Sequence, residues 1–500
     1  MLSIKAFAAK LYAVKTYNKI NKWALNPIDT QKRVFESLIA DASFTQFGKD
    51  HNFNKIKTHK DFINNVPIRD YEALKPYVEK VIGGEEDVLW KGKPLYFAKT
   101  SGTTSGAKYI PITKESMPGH IEAAKNAILL YIHQTGNTKI VNGKMIFLQG
   151  SPVLETKNGI QLGRLSGIVA HYVPKYLQKN RLPTFETNCI EDWETKVNMI
   201  VKETLKEDMS VIAGIPSWVQ MYFEKLIEEK GQKVGDLFQN FSLFIFGGVN
   251  YEPYRSKFES LIGRKVDSIE LYPASEGFFA LQDQQNEKGM LLQLDSGMFY
   301  EFIVADTFFD PSPTRLTLKD VKIGVNYVII ISTNAGLWAY NIGDTIQFTS
   351  TTPFRVIVSG RIKHFISAFG EHVIAKEVEH ALLSALKSTN VSVSEFTVAP
   401  QTTPSEGLPY HEWFIEFEKS PSDLEGFAAK IDSALQLQNS YYLDLIQGKV
   451  LQPLKIIQVQ KGGFQRYMKN IGKLGGQNKT PRLSNDRKIA DVLIKNIHTN

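Results

Sequence analysis

The sequence has a single cysteine, Cys189, in 500 residues. An internal disulfide framework is therefore excluded, and the chain suits a reducing compartment. It also lacks any apolar run near the roughly 20 residues needed to span a bilayer. The first fifteen residues do not read as a secretory signal, because Lys5 and Lys10 interrupt their apolar stretch. No zinc-finger spacing or RNP-type aromatic stretch is present, so the net charge of +7 is not matched by a nucleic-acid module. These absences give a cytoplasmic protein with no membrane span and no nucleic-acid partner. The basic excess is read as a solvated face, or as a preference for an anionic substrate.

The length calls for a large domain with one or two smaller ones. Near the start, Ile4, Phe7, Ala8, Leu11 and Tyr12 fall at helical spacing with lysines opposite. Packing of this face on its own domain is the expectation, and a membrane surface is the alternative. A second helix is predicted over Asp29–Ala42, followed by a turn containing Gly48. β-rich runs at Met145–Leu148, Ser210–Ala213, Leu243–Phe246 and Ser268–Tyr272 alternate with helical patterns at Ser116–His133, Trp193–Glu207, Pro216–Lys230 and Tyr254–Ile262. Strands separated by helices of this length need crossover connections, hence a largely parallel sheet. From about Phe299 the strands Tyr300–Val304 and Tyr327–Ser332 crowd together, which predicts an antiparallel, barrel-like part over 299–358. The fold class is α/β: a large N-terminal domain (1–358), a hinge at 359–364, and a smaller mobile α+β domain (365–500).

Four segments carry chemistry. Thr100–Lys108 reads TSGTTSGAK between two short apolar runs. Its glycines permit a turn whose backbone N–H groups converge on a phosphate, its hydroxyls are further donors, and Lys108 is a point charge. A Ser/Thr/Gly surface linker is the bland alternative. Glu270–Gly277 reads ELYPASEG at the end of a strand, where α/β sheets bind ligands. Tyr272 can stack on adenine there and Glu276 can hold Mg²⁺, although Tyr and Glu at a strand end are common. Gly336–Asp344 (GLWAYNIGD) offers Asp344 to ribose hydroxyls, or is only a Gly-Asp turn. Gly360–Phe365 (GRIKHF) is a hinge or an ordinary basic turn. His171, His364, His372 and His411 have no partner in sequence and read as structural, with His364 adjoining the hinge.

In this order the four segments resemble the adenylate-forming superfamily of acyl-CoA synthetases, adenylation domains and luciferases. The chain looks most like the auxin-responsive-promoter family of acyl acid–amido synthetases. The resemblance runs from Thr45-Gln46-Phe47-Gly48 to the tail, and Gly360–Val373 and Gly472–Arg487 look like its bacterial branch. It implies ATP and Mg²⁺ as cofactors, and a small carboxylic acid with an amino acid as co-substrates. Ser101, Gly102, Thr103 and Thr104 would contact the phosphates, with Lys108 nearby. Tyr272 would flank adenine, Ser275 would lie close to the nucleotide, Glu276 would hold Mg²⁺, Asp344 the ribose, and Arg361 the ribose or phosphate. Lys479 would be the lysine of the small domain that reaches the site during adenylation, with Lys473 and Arg482 close by. The resemblance also leaves an acid–thiol ligase as the alternative, and a nucleotide-binding protein without turnover as another.

The sequence departs from the plant members in three places. They commonly have one more residue between the second loop glycine and the lysine, commonly Ala-Ser where Pro273-Ala274 stands, and often Arg at Asn341. Leu162, Tyr172, Val173 and Phe246 are candidates for an acyl pocket and equally good core residues.

Overall fold

The short apolar runs form strands and the amphipathic runs between them form helices. The computed structural model describes residues 4–103, 106–173, 178–190, 192–248, 251–362, 365–366, 368–371, 373–471 and 480–497. The strands are β1 (Tyr96–Thr103), β2 (Gly106–Ile112), β3 (Lys144–Phe147), β4 (Glu155–Lys157), β5 (Ile160–Gly163), β6 (Arg181–Leu182), β7 (Met209–Ala213), β8 (Leu243–Gly247), β9 (Asp267–Ala274) and β10 (Gly277–Leu281). They continue with β11 (Met290–Leu292), β12 (Met298–Val304), β13 (Asn326–Thr333), β14 (Tyr340–Thr351), β15 (Phe354–Arg361), β16 (Phe365–Ile366), β17 (Val373–Ile374), β18 (Ser392–Gln401), β19 (Tyr410–Lys419) and β20 (Lys455–Val459). The chain divides into two units. One comprises Met1–Thr103, Ala107–Ile190 and Lys196–Ile362; the other comprises Thr104–Gly106, Glu191–Thr195 and Lys363–Asn500.

The first unit holds an 11-stranded sheet ordered β12-β13-β14-β15-β11-β10-β9-β8-β7-β3-β6. From β6 to β9 all pairings are parallel. The reason lies in the connections: helices Trp193–Thr204, Pro216–Lys230 and Glu252–Ile262 lead from one parallel strand to the next. The last two helices end on Gly231 and Gly263, both at positive φ, where a side-chain-bearing residue would be strained. Strands β7 and β8 are buried almost end to end, as strands covered on both faces must be. A smaller sheet, β2-β1-β5-β4, carries residues 100–103 and 106–108 of the hydroxyl-rich segment.

From β9 onward the large sheet becomes antiparallel. Strands β12 to β15 are hydrogen-bonded into this same sheet, which curls on the way from β9 to β14. Three strands separate β9 from β14, roughly 19 Å in a flat sheet. Yet the Tyr272 hydroxyl on β9 donates to Asp344 Oδ2 on β14 at 2.5 Å. Only strong curvature permits that contact. Gln31 pins the rolled edge from the helix Pro27–Ala42: its amide donates to the Leu294 and Met298 carbonyls, both at 2.8 Å, and accepts from the Tyr300 N–H at 2.9 Å.

Two local expectations change. Gly48 lies in a short helix, Gln46–Asp50, and not in a turn; a Cβ there would come within 2.1 Å of the Ala42 carbonyl oxygen. The first helix, Ile4–Ala24, packs through Ala6, Ala13, Ile20, Trp23 and Ala24. Ile4, Phe7, Leu11 and Tyr12, predicted to pack, face solvent instead. The small alanines allow a closer approach to the helix Met117–Thr135 than the bulky stripe does.

In the second unit, β18 pairs antiparallel with β19, and β19 pairs parallel with β20. Helices Ala375–Lys387 and Leu424–Gln438 pack on each other. His411 is fully buried, with its Nε2 2.8 Å from Glu371 Oε1, which gives it the structural part expected of it.

Candidate functional site

The site grows from the junction of the parallel and antiparallel halves. Strand β9 delivers Tyr272 near its carboxyl end, and Ser275-Glu276 form a two-residue turn into β10, with Ala274 paired to Gly277. A Cβ at Gly277 would lie 2.3 Å from Met298 Sδ, so a larger residue there would have to displace that side chain. Across the curl, Asn341 Oδ1 accepts from the Gly343 N–H at 2.8 Å, and Gly343 adopts φ +88. That turn delivers Asp344, which is in register with Arg361 of β15.

Tyr272 and Asp344 are both buried, 6% and 7% exposed. Tyr272 also packs on Phe279, with ring centroids 4.9 Å apart. The hydroxyl fixes one carboxylate oxygen of Asp344, so the carboxylate is oriented before any ligand arrives. Glu276 lines a crevice with Ser116, His120, Ser296, Thr333 and Asn334. Among the described residues no three His, Cys, Asp or Glu side chains cluster as a metal cage. One carboxylate beside phosphate oxygens and water is the donor set that Mg²⁺ accepts, so Glu276 fits a magnesium nucleotide.

His120 was not singled out from sequence. It is 6% exposed, its Nδ1 has no hydrogen-bond partner, and burial lowers its pKa to about 4, so the ring is neutral. A lone histidine on a helix gives no signal of this kind; only the fold shows it.

Lys108 lies on β2 with its Nζ 5.9 Å from the Tyr71 ring centre, a cation–π contact. The Tyr71 hydroxyl accepts from the Tyr109 N–H at 2.9 Å, and burial raises its pKa to about 12. Ser101, Gly102 and Thr103 are the last residues of β1, and Arg361 is the last of β15. Thr104 and Lys479 fall outside the described residues, as do His364 and His372. The structure thus brings Tyr272 and Asp344 together, sets Ser275 and Glu276 in the adjoining turn, and pairs the Arg361 backbone with Asp344. Of the acyl-pocket candidates, Leu162 and Phe246 are buried, and the Tyr172 hydroxyl donates to that of Tyr96 at 3.2 Å.

Comparison with known proteins decides the family. Residues 16–188 match the GH3 family N-terminal domain, 291–361 its central domain and 376–488 its C-terminal domain. The chain belongs to the GH3 family. Asp344 and Arg361 of this GH3 protein lie in the central stretch; Tyr272 and Glu276 lie between the matched stretches.

Among its relatives is the jasmonoyl–L-amino acid synthetase JAR4 of Nicotiana attenuata, 21% identical over 530 residues and 90% of each chain. The indole-3-acetic acid-amido synthetase GH3.3 of Arabidopsis thaliana is 21% identical over 566 residues, 96% of this chain and 93% of that one. The structure resembles the GH3.15 acyl acid amido synthetase solved with 2,4-DB, at TM-score 0.62 and 17% identity over 97% of this chain and 96% of that one. It also resembles 2-hydroxyisobutyryl-CoA ligase with 2-HIB-AMP and CoA, at TM-score 0.57 and 14% identity over 100% and 94%. At these identities the two structures share its fold. No helix among the described residues is long and apolar enough to cross a membrane.

Proposed function

We propose that this GH3 protein is an ATP-dependent acyl acid–amido synthetase, which adenylates a carboxylic acid and passes the acyl group to an amino acid. The observation that carries the reading is the Tyr272–Asp344 contact across the curled sheet, with Glu276 in the turn beside it. An aromatic ring, a fixed carboxylate and a second carboxylate suit adenine, ribose and a magnesium phosphate.

A carboxylate is a poor acyl donor because its leaving group would be oxide. In the first step its oxygen bonds to the α-phosphorus of ATP, the bond to the bridging oxygen breaks, and pyrophosphate leaves. In the second, the amine attacks the acyl carbon, AMP departs and the amine loses a proton. The protein's part is alignment and the offsetting of charge that builds on the α-phosphate. Tyr272 and Asp344 would hold the nucleoside, and Ser101, Gly102, Thr103 and Thr104 the phosphates. Lys108 and Lys479 would supply positive charge, and Ser275 and Arg361 would border the nucleotide. Mg²⁺, held by Glu276, would neutralise the phosphate oxygens. One well-placed donor is worth about 3 kcal/mol, or roughly a hundredfold in rate. The two units part between Ile362 and Lys363, and we place the pivot between half-reactions at 359–364. A cytoplasmic location is part of the same reading.

The test is isotope exchange between pyrophosphate and ATP over a panel of carboxylic acids, followed by addition of amino acids or CoA. The expected result is acid-dependent exchange, about a hundredfold lower in Glu276→Ala and Asp344→Ala, with amide formed on adding an amino acid. Thioester from CoA with no amide would replace the amido synthetase by an acid–thiol ligase. Exchange with no acid, or undiminished in both variants, would remove the adenylation reading.

A further inference from the structure

The first helix has two apolar faces, and the fold uses one. Ala6, Ala13, Ile20 and Ala24 are buried against the rest of the unit. On the other side Ile4, Phe7, Leu11 and Val14 are 90%, 59%, 57% and 47% exposed. At about 100° per residue these four fall within about 80° of the helix circumference, opposite the alanines. They form a stripe and not a scatter of single exposed residues, which would need no explanation.

The charge on this helix has one sign. Ile4–Ala24 contains Lys5, Lys10, Lys15, Lys19 and Lys22 and no aspartate or glutamate. Lys10 borders the stripe on one side and Lys15 on the other, and both are exposed. Lys19 is already engaged by Glu122 at 3.4 Å, on the flank towards the helix Met117–Thr135. The match to the GH3 N-terminal domain begins at residue 16, so the stripe also lies outside the stretch that carries the family likeness.

We propose that this face is a docking surface for an anionic lipid bilayer, on which Ile4, Phe7, Leu11 and Val14 enter the headgroup boundary while the flanking lysines meet lipid phosphates. A helix lying in the interface plane needs this arrangement: aliphatic and aromatic side chains in a narrow strip, with cations along its edges. Lysine stems reach from such a position to the headgroups while their ammonium groups stay hydrated. A second copy of the chain is a poorer occupant. Pairing the stripe with itself sets lysine rows against lysine rows, and the helix has no acid to separate them. Anionic lipid supplies both the apolar layer and the opposite charge.

The test uses the full chain and large unilamellar vesicles of phosphatidylcholine alone, or with 30 mol% phosphatidylglycerol, in a sedimentation assay. The expected result is partition into the anionic vesicles only, weakened at least tenfold by 0.5 M NaCl. A Phe7→Glu/Leu11→Glu double variant loses at least tenfold in partition, and Lys10→Glu/Lys15→Glu loses a comparable factor. Both pairs are exposed and outside the nucleotide site, so melting temperature and pyrophosphate exchange stay at wild-type values and report an intact fold. The proposal is overturned if the wild type stays in the supernatant with anionic vesicles, or if Phe7→Glu/Leu11→Glu binds them unchanged. It is equally overturned if light scattering shows a dimer that this variant abolishes, or if only an acidic protein is bound. None of these outcomes depends on the acyl acid or on the reaction proposed above.

Discussion

The Tyr272 hydroxyl and the Asp344 carboxylate meet at 2.5 Å although β15, β11 and β10 lie between their strands. The contact therefore reports both the curvature of the sheet and the orientation of a carboxylate proposed to hold ribose. Removing the hydroxyl tests the two together. Tyr272→Phe keeps the ring and its packing on Phe279 but deprives a buried carboxylate of a donor. A cost of about 1–3 kcal/mol in stability is expected from urea unfolding followed on the first unit. ATP binding, measured by titration, weakens by roughly fivefold or more as Asp344 loses its fixed rotamer. Unchanged affinity would separate the tyrosine from the nucleotide.

A second prediction concerns the antiparallel edge. Glu301 on β12 is fully buried between Arg315, whose Nη2 is 2.6 Å from Oε2, and His59 Nε2, 2.7 Å from Oε1. Burial alone would raise the Glu301 pKa, but the His59 hydrogen bond and the Arg315 charge outweigh it and hold it below 4.5. A depressed carboxyl contributes stability above its unfolded pKa and loses it as pH falls through the folded value. Arg315→Met strands the charge, at a cost of about 3–5 kcal/mol at neutral pH. The gap between variant and wild type narrows as pH falls through the pKa of the stranded carboxyl, which burial raises once the Arg315 charge is gone. Denaturant melts at pH 7 and pH 4 check both statements.

Local pattern carried much of this fold. The parallel strands and their helices are set by apolar runs of strand length and by crossover spacing, so Ser268–Tyr272 was readable as the core of β9. Tyr272 and Glu276 were readable as a strand-end pair because they sit four residues apart at its carboxyl end. Their contact partner was not, since the Tyr272–Asp344 bond depends on the accumulated curl of strands far apart in sequence. The first helix shows the converse. Periodicity marks a single stripe, Ile4, Phe7, Ala8, Leu11 and Tyr12, and the expectation is that this bulky face packs. Close approach to the neighbouring helix favours Ala6 and Ala13, and periodicity does not measure closeness.

Lys196 offers a test on the alkaline side. Its Nζ is buried and donates to the Asn188 carbonyl at 2.7 Å and the Gln149 carbonyl at 3.1 Å. Burial is the main cause of a pKa lowered to about 8 from 10.5. Between those values the unfolded chain binds more protons than the folded one, so this lysine makes stability rise with pH. Lys196→Met is expected to remove that rise. Urea midpoints for the two proteins from pH 7.5 to 9.5 give the comparison, and parallel curves would contradict the assignment.

His120 combines the same linkage with an unmet hydrogen bond. Its pKa of about 4 lies below the ordinary 6.5, so the unfolded chain holds the extra proton between these values. Stability is therefore lost as pH falls from 6.5 towards 4, by about 3 kcal/mol for a shift of this size. At neutral pH the cost is different: Nδ1 is buried with no partner, and an orphaned polar atom costs about 1–3 kcal/mol. Leucine at this position removes both penalties and loses no hydrogen bond at Nδ1. His120→Leu is thus expected to melt a few degrees higher than wild type at pH 7, with the difference widening at pH 5. A variant that melts lower at both pH values would mean that the ring's shape outweighs its unmet polarity in the packing beside Glu276.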